Sequence, residues 1–384
     1  MKKFFKILLN KKHTILFLLV ISLPLFFLLT GTGKVSSIRE RKSKAPGFFS
    51  GEGIQKGLKK FENYFEKSFP FRKELLYKRN YLYSRYLGIS AVNRVILGKN
   101  GWLFIKWLNE TGSEINYSIS IDKFRDGELE YWFNIFNEKY QFLKKRGIKF
   151  LVVIVPNKST IYSEHLPEKI RKVTGGVRAK QLTDYFINNS DIQVLNLKDL
   201  FLSKKVEHQI YYRTDSHWNH YGAWLAYREI LLHLSQIFRG VMPIPFEDFP
   251  KKTIVGPSKA DLASMLSLNR SLYSEKFQRL FTPAGMTISQ LKLKNFKFKK
   301  GRISYFQNEN GILPKAIMIH DSYGQGLKKF MSSSFAEIAF IRVSGVNFFP
   351  DLIERERPSI VIYEIAERFF YRPVTIPKKI VKNK

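Results

Sequence analysis

Three short polar clusters hold the residue types that acyl-transfer chemistry requires. The first runs Tyr211-Tyr212-Arg213-Thr214-Asp215-Ser216-His217-Trp218, the second is His320-Asp321-Ser322-Tyr323-Gly324, and the third comprises Glu364, Glu367 and Arg368. A serine hydroxyl is a weak nucleophile near neutral pH and needs a base beside it. Ser322 is the candidate nucleophile, because a serine between an apolar strand and a helix presents its hydroxyl at the edge of a sheet. The backbone N–H groups of Ser322 and Tyr323, at the start of that helix, are the candidate oxyanion donors. Of the seven histidines, His217 has the most suggestive context. Asp215 stands two positions before it, so in an extended or turn segment both side chains can point the same way. The carboxylate can then orient the ring and stabilise the imidazolium.

Each piece also has a plainer reading. Asp-Ser after a strand is a common helix cap. An isolated Asp-x-His is often a structural or surface pair. Asp215, His217 and His220 can be read as metal ligands, but with no cysteine and no third convincing histidine no metal is expected, and no cofactor is expected either. His320 can simply pack beside the turn. The aromatic stripe of Tyr221, Trp224 and Tyr227 reads as core rather than as a platform for sugar.

The elements that must position these clusters follow from hydrophobic periodicity. Residues 58–88 read as an amphipathic helix interrupted at Pro70. Residues 92–105 read as a hairpin about the turn Gly98-Lys99-Asn100-Gly101. A helix over 123–145, stopped by Gly147, leads into the apolar run 148–155, which suits a buried parallel strand. Further strands are expected over 192–197, 316–319, 338–341 and 360–363. Helices are expected over 224–234, from Gln325, and near Leu352. Alternating strand and helix predicts an α/β layer sandwich with a mainly parallel sheet. Ligands of such sheets gather at the carboxyl ends of the strands.

The chain has 384 residues, with 65 Lys and Arg against 32 Asp and Glu, a formal charge of +33. So basic a chain attracts anions. The lysines are nevertheless scattered, and there is no RNP-like, zinc-finger or helix-turn-helix signature, so nucleic acid is not expected. The charge fits either a solvated lysine-rich surface or an acidic polymer. With no cysteine, disulfides and thiolate chemistry are ruled out. Lys2, Lys3, Lys6, Lys11 and Lys12 precede a nearly unbroken apolar run over 14–30. That pattern predicts an uncleaved transmembrane signal-anchor with its amino end in the cytoplasm. The main domain would then lie in the periplasm or another extracytoplasmic space, held by a single pass through the inner membrane. A cleaved signal peptide is the competing reading. The expected organisation is a basic stub and anchor over 1–33, a juxtamembrane linker over 34–57 and a catalytic domain over 58–384.

Five stretches, in order, resemble the SGNH-hydrolase-like proteins of the alginate O-acetylation type, the AlgJ/AlgX group and its DHHW relatives. They are Phe65-Glu66-Lys67-Ser68-Phe69-Pro70-Phe71-Arg72, Leu97-Gly98-Lys99-Asn100-Gly101-Trp102-Leu103-Phe104, Val155-Pro156-Asn157-Lys158-Ser159-Thr160-Ile161-Tyr162, Thr214-Asp215-Ser216-His217-Trp218-Asn219 and His320-Asp321-Ser322-Tyr323. Ala260-Asp261-Leu262 and Glu364-Ile365-Ala366-Glu367-Arg368 look like two lesser signatures. The resemblance spans roughly residues 60–370. It implies an SGNH-like three-layer fold and serine-dependent acetyl transfer to a polysaccharide, with Asp215, His217 and Ser322 in the family's catalytic positions. It also implies a polytopic membrane O-acyltransferase as the partner that supplies acetyl groups. Two positions depart from the pattern: His320 stands where the family often has Gly, and Ser216 where the DHHW relatives have His. An esterase using the same triad, or a non-catalytic glycan-binding or assembly protein, are the rival functions.

Overall fold

The structure is a computed structural model that describes residues 72–106, 123–125, 127–170, 177–254, 260–268, 271–291 and 302–371, with isolated positions before residue 72. The chain divides into two compact units, Met1–Tyr86 and Leu87–Lys384. In the first, the continuous described element is helix α1, Arg72–Leu82, which begins just after Pro70. The expected domain boundary at 57/58 and the motif residues 65–71 lie outside the described residues.

The expected membrane-spanning helix over 14–30 also lies outside them, apart from Ser22. Among the described residues no helix is long and apolar enough to cross a membrane. The longest, Glu128–Lys144, has 17 residues and carries Glu128, Glu130, Glu138, Lys139 and Lys144. The expectation of single-pass anchorage in the inner membrane is corrected on this finding.

The second unit opens with a hairpin of β1 (Val95–Leu97) and β2 (Leu103–Ile105), in which Val95 faces Ile105. Asn100 and Gly101 turn it with φ of 54° and 76°, a region that glycine adopts freely and asparagine tolerates. Trp102 then folds inward and stacks on Tyr162 at 4.3 Å and on His165 at 4.7 Å.

Next come α2 (Glu128–Lys144), β3 (Lys149–Val155), α3 (Lys158–Ile161), α4 (Val177–Asn189), β4 (Gln193–Asn196), α5 (Lys198–Lys204) and α6 (His220–Leu234). A small antiparallel sheet pairs β5 (Lys251–Ile254) with β6 (Phe277–Leu280), and α7 (Asp261–Met265) lies between them in sequence. The chain continues through β7 (Ile288–Leu291), β8 (Arg302–Asn308), β9 (Ala316–His320), α8 (Gly324–Ser332), β10 (Glu337–Arg342), α9 (Pro350–Glu356) and β11 (Ile360–Ala366).

The central sheet has the order β4-β3-β11-β9-β10-β8-β7. The first five strands are parallel, and β8 and β7 continue the sheet antiparallel. The sheet is therefore mixed, with the expected parallel part at its centre. Strands β9 and β11 are buried along their whole length, and β3 from Phe150 onward. Strands covered on both faces read as continuous apolar runs, which is why these were anticipated. The cover comes from helices on both sides. Tyr363 of β11 meets Phe136 of α2 at 5.4 Å. Glu364, the next residue and so on the other face, accepts from the Gly324 N–H at the start of α8.

Helix α8 packs against α6 through Phe330, which is fully buried 5.6 Å from Tyr227 and 4.8 Å from Phe249. Phe330→Ala should cost about 3–5 kcal/mol of unfolding free energy, the usual loss for deleting a buried aromatic ring. Equilibrium denaturation in urea checks this. A loss below about 1 kcal/mol would mean that the layer collapses around the gap.

Candidate active site

The three polar clusters converge at the carboxyl edge of the parallel strands, where open sheets of this kind place ligands. Ser322 lies two residues beyond β9, Arg368 two beyond β11, and Lys158 three beyond β3. The first cluster forms a tight loop closed by an antiparallel bridge between Tyr211 and Trp218. This loop carries Asp215 and His217 across to Ser322.

The three side chains form one hydrogen-bonded row. Ser322 Oγ is 2.8 Å from His217 Nε2, and His217 Nδ1 is 2.7 Å from Asp215 Oδ1. A ring nitrogen that donates to a carboxylate leaves the other free to accept from a hydroxyl. Asp215 Oδ1 also accepts from the His217 N–H at 2.9 Å, and Oδ2 accepts from the Asp261 N–H at 2.9 Å. Burial pushes the Asp215 pKa up, but the bond and charge of His217 and the two backbone donors outweigh it and hold the carboxyl below its ordinary value. The group therefore stays ionised, as a partner of an imidazolium must.

Two carboxylates fix the loop from outside. Asp261 accepts from the Ser216 N–H at 2.7 Å and from the Ser216 hydroxyl. Glu275 accepts from Arg213 N at 3.0 Å, Thr214 N at 3.1 Å and Thr214 Oγ1 at 2.9 Å. Asp215, His217 and Asp261 are close enough to be read as metal ligands. Their atoms are, however, engaged by one another and by N–H and O–H donors of the loop and of Asp261. His220, the third ligand of the metal reading, is not in that group.

Lys158 clamps the loop from beneath. Its Nζ donates to Leu103 O at 2.5 Å, Arg213 O at 2.7 Å and Asp215 O at 2.9 Å, joining the hairpin to the loop. Three carbonyls match the three donors of an ammonium group. The faces of Trp102 and Phe104 lie 5.1 and 5.2 Å away. Burial nevertheless pulls its pKa down to about 7, against the charges of Glu275, Asp215 and Asp261.

The turn after β9 is built from buried acids. Asp321 Oδ1 accepts from the Tyr323 N–H at 2.7 Å, and Oδ2 accepts from Ala366 N at 2.9 Å. Glu364 Oε2 accepts from Asp321 N at 3.0 Å and Gly324 N at 3.2 Å. Burial, and then the neighbouring Asp321 charge, push Glu364 well above the ordinary carboxylate range, so it carries a proton. His320 is fully buried under the turn, and burial pulls its pKa down to about 4. An added Cβ on Gly324 would sit 2.4 Å from His320 Cγ, so this ring and that glycine require each other.

The backbone of Tyr323 does not play the part that the sequence suggested. The Tyr323 N–H, an expected oxyanion donor, is taken by Asp321, while its hydroxyl donates to Ser216 O at 2.8 Å. Arg368 approaches the Ser322 hydroxyl instead. Its Nη2 donates to Ser322 Oγ at 3.2 Å, and its guanidinium lies 4.8 Å above the Tyr323 ring. Burial draws the Arg368 pKa down, but Tyr323, Asp321 and Glu364 outweigh it, so the group is charged. Of the residues that hold the site, Lys158, Asp261 and Arg368 fall in the stretches singled out from sequence. Glu275 was missed, and nothing in its neighbourhood signals its role.

Residues 95–288 match the family model described as SGNH hydrolase-like domain, acetyltransferase AlgX. The chain is 25% identical over 228 residues to the probable alginate O-acetylase AlgJ of Pseudomonas aeruginosa, covering 57% of this chain and 52% of that protein. It is 25% identical over 183 residues to the Pseudomonas fluorescens protein of the same name, covering 46% and 42%. The chain thus spans about half the length of the curated relatives it matches. Its fold is similar to that of Bacillus cereus PatB1, with a TM-score of 0.54 and 17% identity over 73% of this chain and 98% of that one. It is also similar to the O-acetyltransferase domain of Pseudomonas putida AlgJ, with a TM-score of 0.50 and 17% identity over 75% and 97%.

Lys158→Met should loosen Arg213–Asp215 and lower ester turnover about tenfold or more, since small displacements of a catalytic group are costly. Stability adds a second reading. The folded pKa of Lys158, about 7, lies below its ordinary value of 10.5. The cost of burying its charge is thus present in full below pH 7 and fades as the pH rises toward 10.5. Urea denaturation at neutral pH and at about pH 9.5 should show the wild type gaining on the variant as the pH rises. A pH-independent difference would mean that the amine stays charged throughout.

Proposed function

The chain belongs to the family of SGNH hydrolase-like domains of the acetyltransferase AlgX type, and on that premise we propose that it moves acetyl groups onto hydroxyls of a polysaccharide through Ser322, His217 and Asp215. The observation that carries the proposal is the unbroken row from Ser322 Oγ through the His217 ring to Asp215.

His217 Nε2 takes the proton of Ser322 as Oγ attacks the acetyl carbonyl of the donor. The developing oxyanion meets the Ser322 N–H and the Arg368 guanidinium. Collapse breaks the bond to the donor's leaving group, which takes the proton from His217, and the acetyl group remains as an ester on Ser322. In the second half His217 takes a proton from an acceptor hydroxyl. The acceptor oxygen attacks the ester, and Ser322 leaves with the proton returned by His217. Asp215 holds the ring in the required tautomer and offsets its charge. By likeness to the alginate O-acetylases, the acceptor is a polysaccharide and the acetyl donor is a partner O-acyltransferase of the polytopic membrane type. The polymer's identity does not carry over.

Hydrolysis competes with transfer here, because the His217 side chain is 29% exposed and water can reach it. The acceptor, not the triad, separates the two reactions.

Ser322→Ala and His217→Ala should each abolish acetyl release from 4-nitrophenyl acetate, and the double variant should lose no more than either. Asp215→Asn should cost on the order of a hundredfold or more, through the wrong tautomer. Arg368→Met should lower kcat rather than raise KM, as expected for a group that acts in the transition state. Full activity in Ser322→Ala would place the nucleophile elsewhere. Glycan binding without any acetyl transfer would favour the assembly reading.

A further inference from the structure

The aromatic stripe that reads as core is divided by the structure. Tyr227 is fully buried, whereas Tyr221 and Trp224 are only half-buried. Tyr221 lines an open cleft of about 590 Å³, together with His208, Tyr212, Phe246, Thr253 and Gln278. That volume falls within the roughly 300–1,000 Å³ of ordinary small-ligand sites. The aromatic wall is continuous. Tyr221 lies 4.4 Å from His208 and 5.4 Å from Phe246, whose ring meets it edge-on. Thr253 of β5 and Gln278 of β6 add hydrogen-bonding side chains to the lining.

The charge within the cleft does not follow that of the chain. Glu247 and Glu275 balance Lys251 and Lys276. Lys251 Nζ is 3.8 Å from the centre of the Phe246 ring, and Glu275 is engaged by the loop's N–H groups. Burial and Lys329 lower the pKa of His220, the other histidine of the cleft beside His208, which favours its neutral form. The four charges of the lining thus cancel, so the cleft's own walls carry no excess of cations for an acidic polymer. Aromatic faces beside hydrogen-bonding groups instead suit a ligand with C–H faces and hydroxyl edges.

Its position is equally specific. Glu275 is at once a wall of the cleft and the clamp on Arg213 and Thr214. Tyr212, another wall, donates its N–H to His217 O at 3.3 Å. The cleft therefore runs along the outer side of the loop that carries Asp215 and His217.

We propose that this cleft binds an uncharged pyranose segment of the acceptor, by ring stacking on Tyr221 and hydrogen bonds to the polar side chains of Thr253 and Gln278. The proposal rests on the acetyl-transfer reading for why a glycan should be held there, but its test does not. Binding is measured by titration calorimetry on the Ser322→Ala protein, with cellohexaose as the neutral probe and a galacturonic acid hexamer as the acidic one.

Cellohexaose should bind with an affinity that changes little between about 50 and 500 mM salt, since no charges meet. Tyr221→Ala should weaken it about tenfold or more, whereas Tyr221→Phe, which keeps the ring, should stay within about threefold of wild type. Thr253→Arg fills the cleft from the exposed strand β5 without touching the core, and should also weaken binding about tenfold or more. It keeps the test decisive if Tyr221→Ala fails to fold. No binding of cellohexaose at about 5 mM, or binding unaffected by Thr253→Arg, overturns the proposal. Binding of the galacturonic acid hexamer alone, lost at high salt, also overturns it, in favour of a charge-driven site. Release of acetyl from 4-nitrophenyl acetate by the wild type reports on the triad separately. If it is absent while cellohexaose binds as described, the transfer reading fails and the cleft assignment holds.

Discussion

A buried carboxylate that must remain ionised organises this site. Burial alone pushes the Asp215 carboxyl toward its neutral form, and a neutral acid could not offset an imidazolium. Three N–H donors prevent this, and each comes from a group whose position is thereby fixed. The His217 ring sets the direction toward Ser322, the His217 backbone sets the curl of the loop, and Asp261 N ties in the start of α7. Stabilising the charge and assembling the geometry are thus one interaction. Lys158 completes it from the other side, by taking up the carbonyls that the same curl leaves pointing inward.

Ser322 depends on a different use of acids. Asp321 and Glu364 lie together in the dry layer beneath the turn, where two like charges cannot both persist. Glu364 takes the proton, and between them they accept the N–H groups of Asp321, Tyr323, Gly324 and Ala366. The turn is therefore held by side chains where a regular helix start would leave its donors open. This fastening joins the end of β9 to the end of β11, and so sets Ser322 and Arg368 at a fixed separation.

How much of this was legible depended on the range of the signal. Strands β3, β9 and β11 are buried on both faces, and their unbroken apolar runs declare them. Strand β8 pairs with β10 at the antiparallel side of the sheet, and the adjacent Tyr305 and Phe306 break the polar–apolar alternation that would have marked it. Helix α4 was missed because Val177–Asn189 spreads its few apolar residues among Arg178, Lys180 and Asp184. Asp215, His217 and Ser322 could be picked out because each sits in a local pattern with chemical meaning. Glu275 could not, since its role exists only through backbone N–H groups some sixty residues away in sequence. Tyr221 misled for a related reason. Periodicity identifies the apolar side of a helix but cannot tell whether a neighbour covers all of it.

The engagement of Tyr323 N–H has a consequence for the chemistry. A serine turn at a helix start ordinarily offers successive backbone donors to an oxyanion. Here the second is spent on holding the turn, and a charged guanidinium stands within hydrogen-bonding distance of the Ser322 hydroxyl. Glu367, at the adjoining residue, is anchored to the Asn157 N–H just beyond β3 and to the Thr160 hydroxyl of α3, which ties the chain next to Arg368 to that edge. A mobile charged donor would have to be reorganised in each cycle, whereas one gripped by two strand ends is already oriented when charge develops. In the acetyl-transfer reading the β3–β11 edge therefore holds a donor ready for the oxyanion, and the stretch from Glu364 to Arg368 serves the turn with its first residue and the Ser322 hydroxyl with its last.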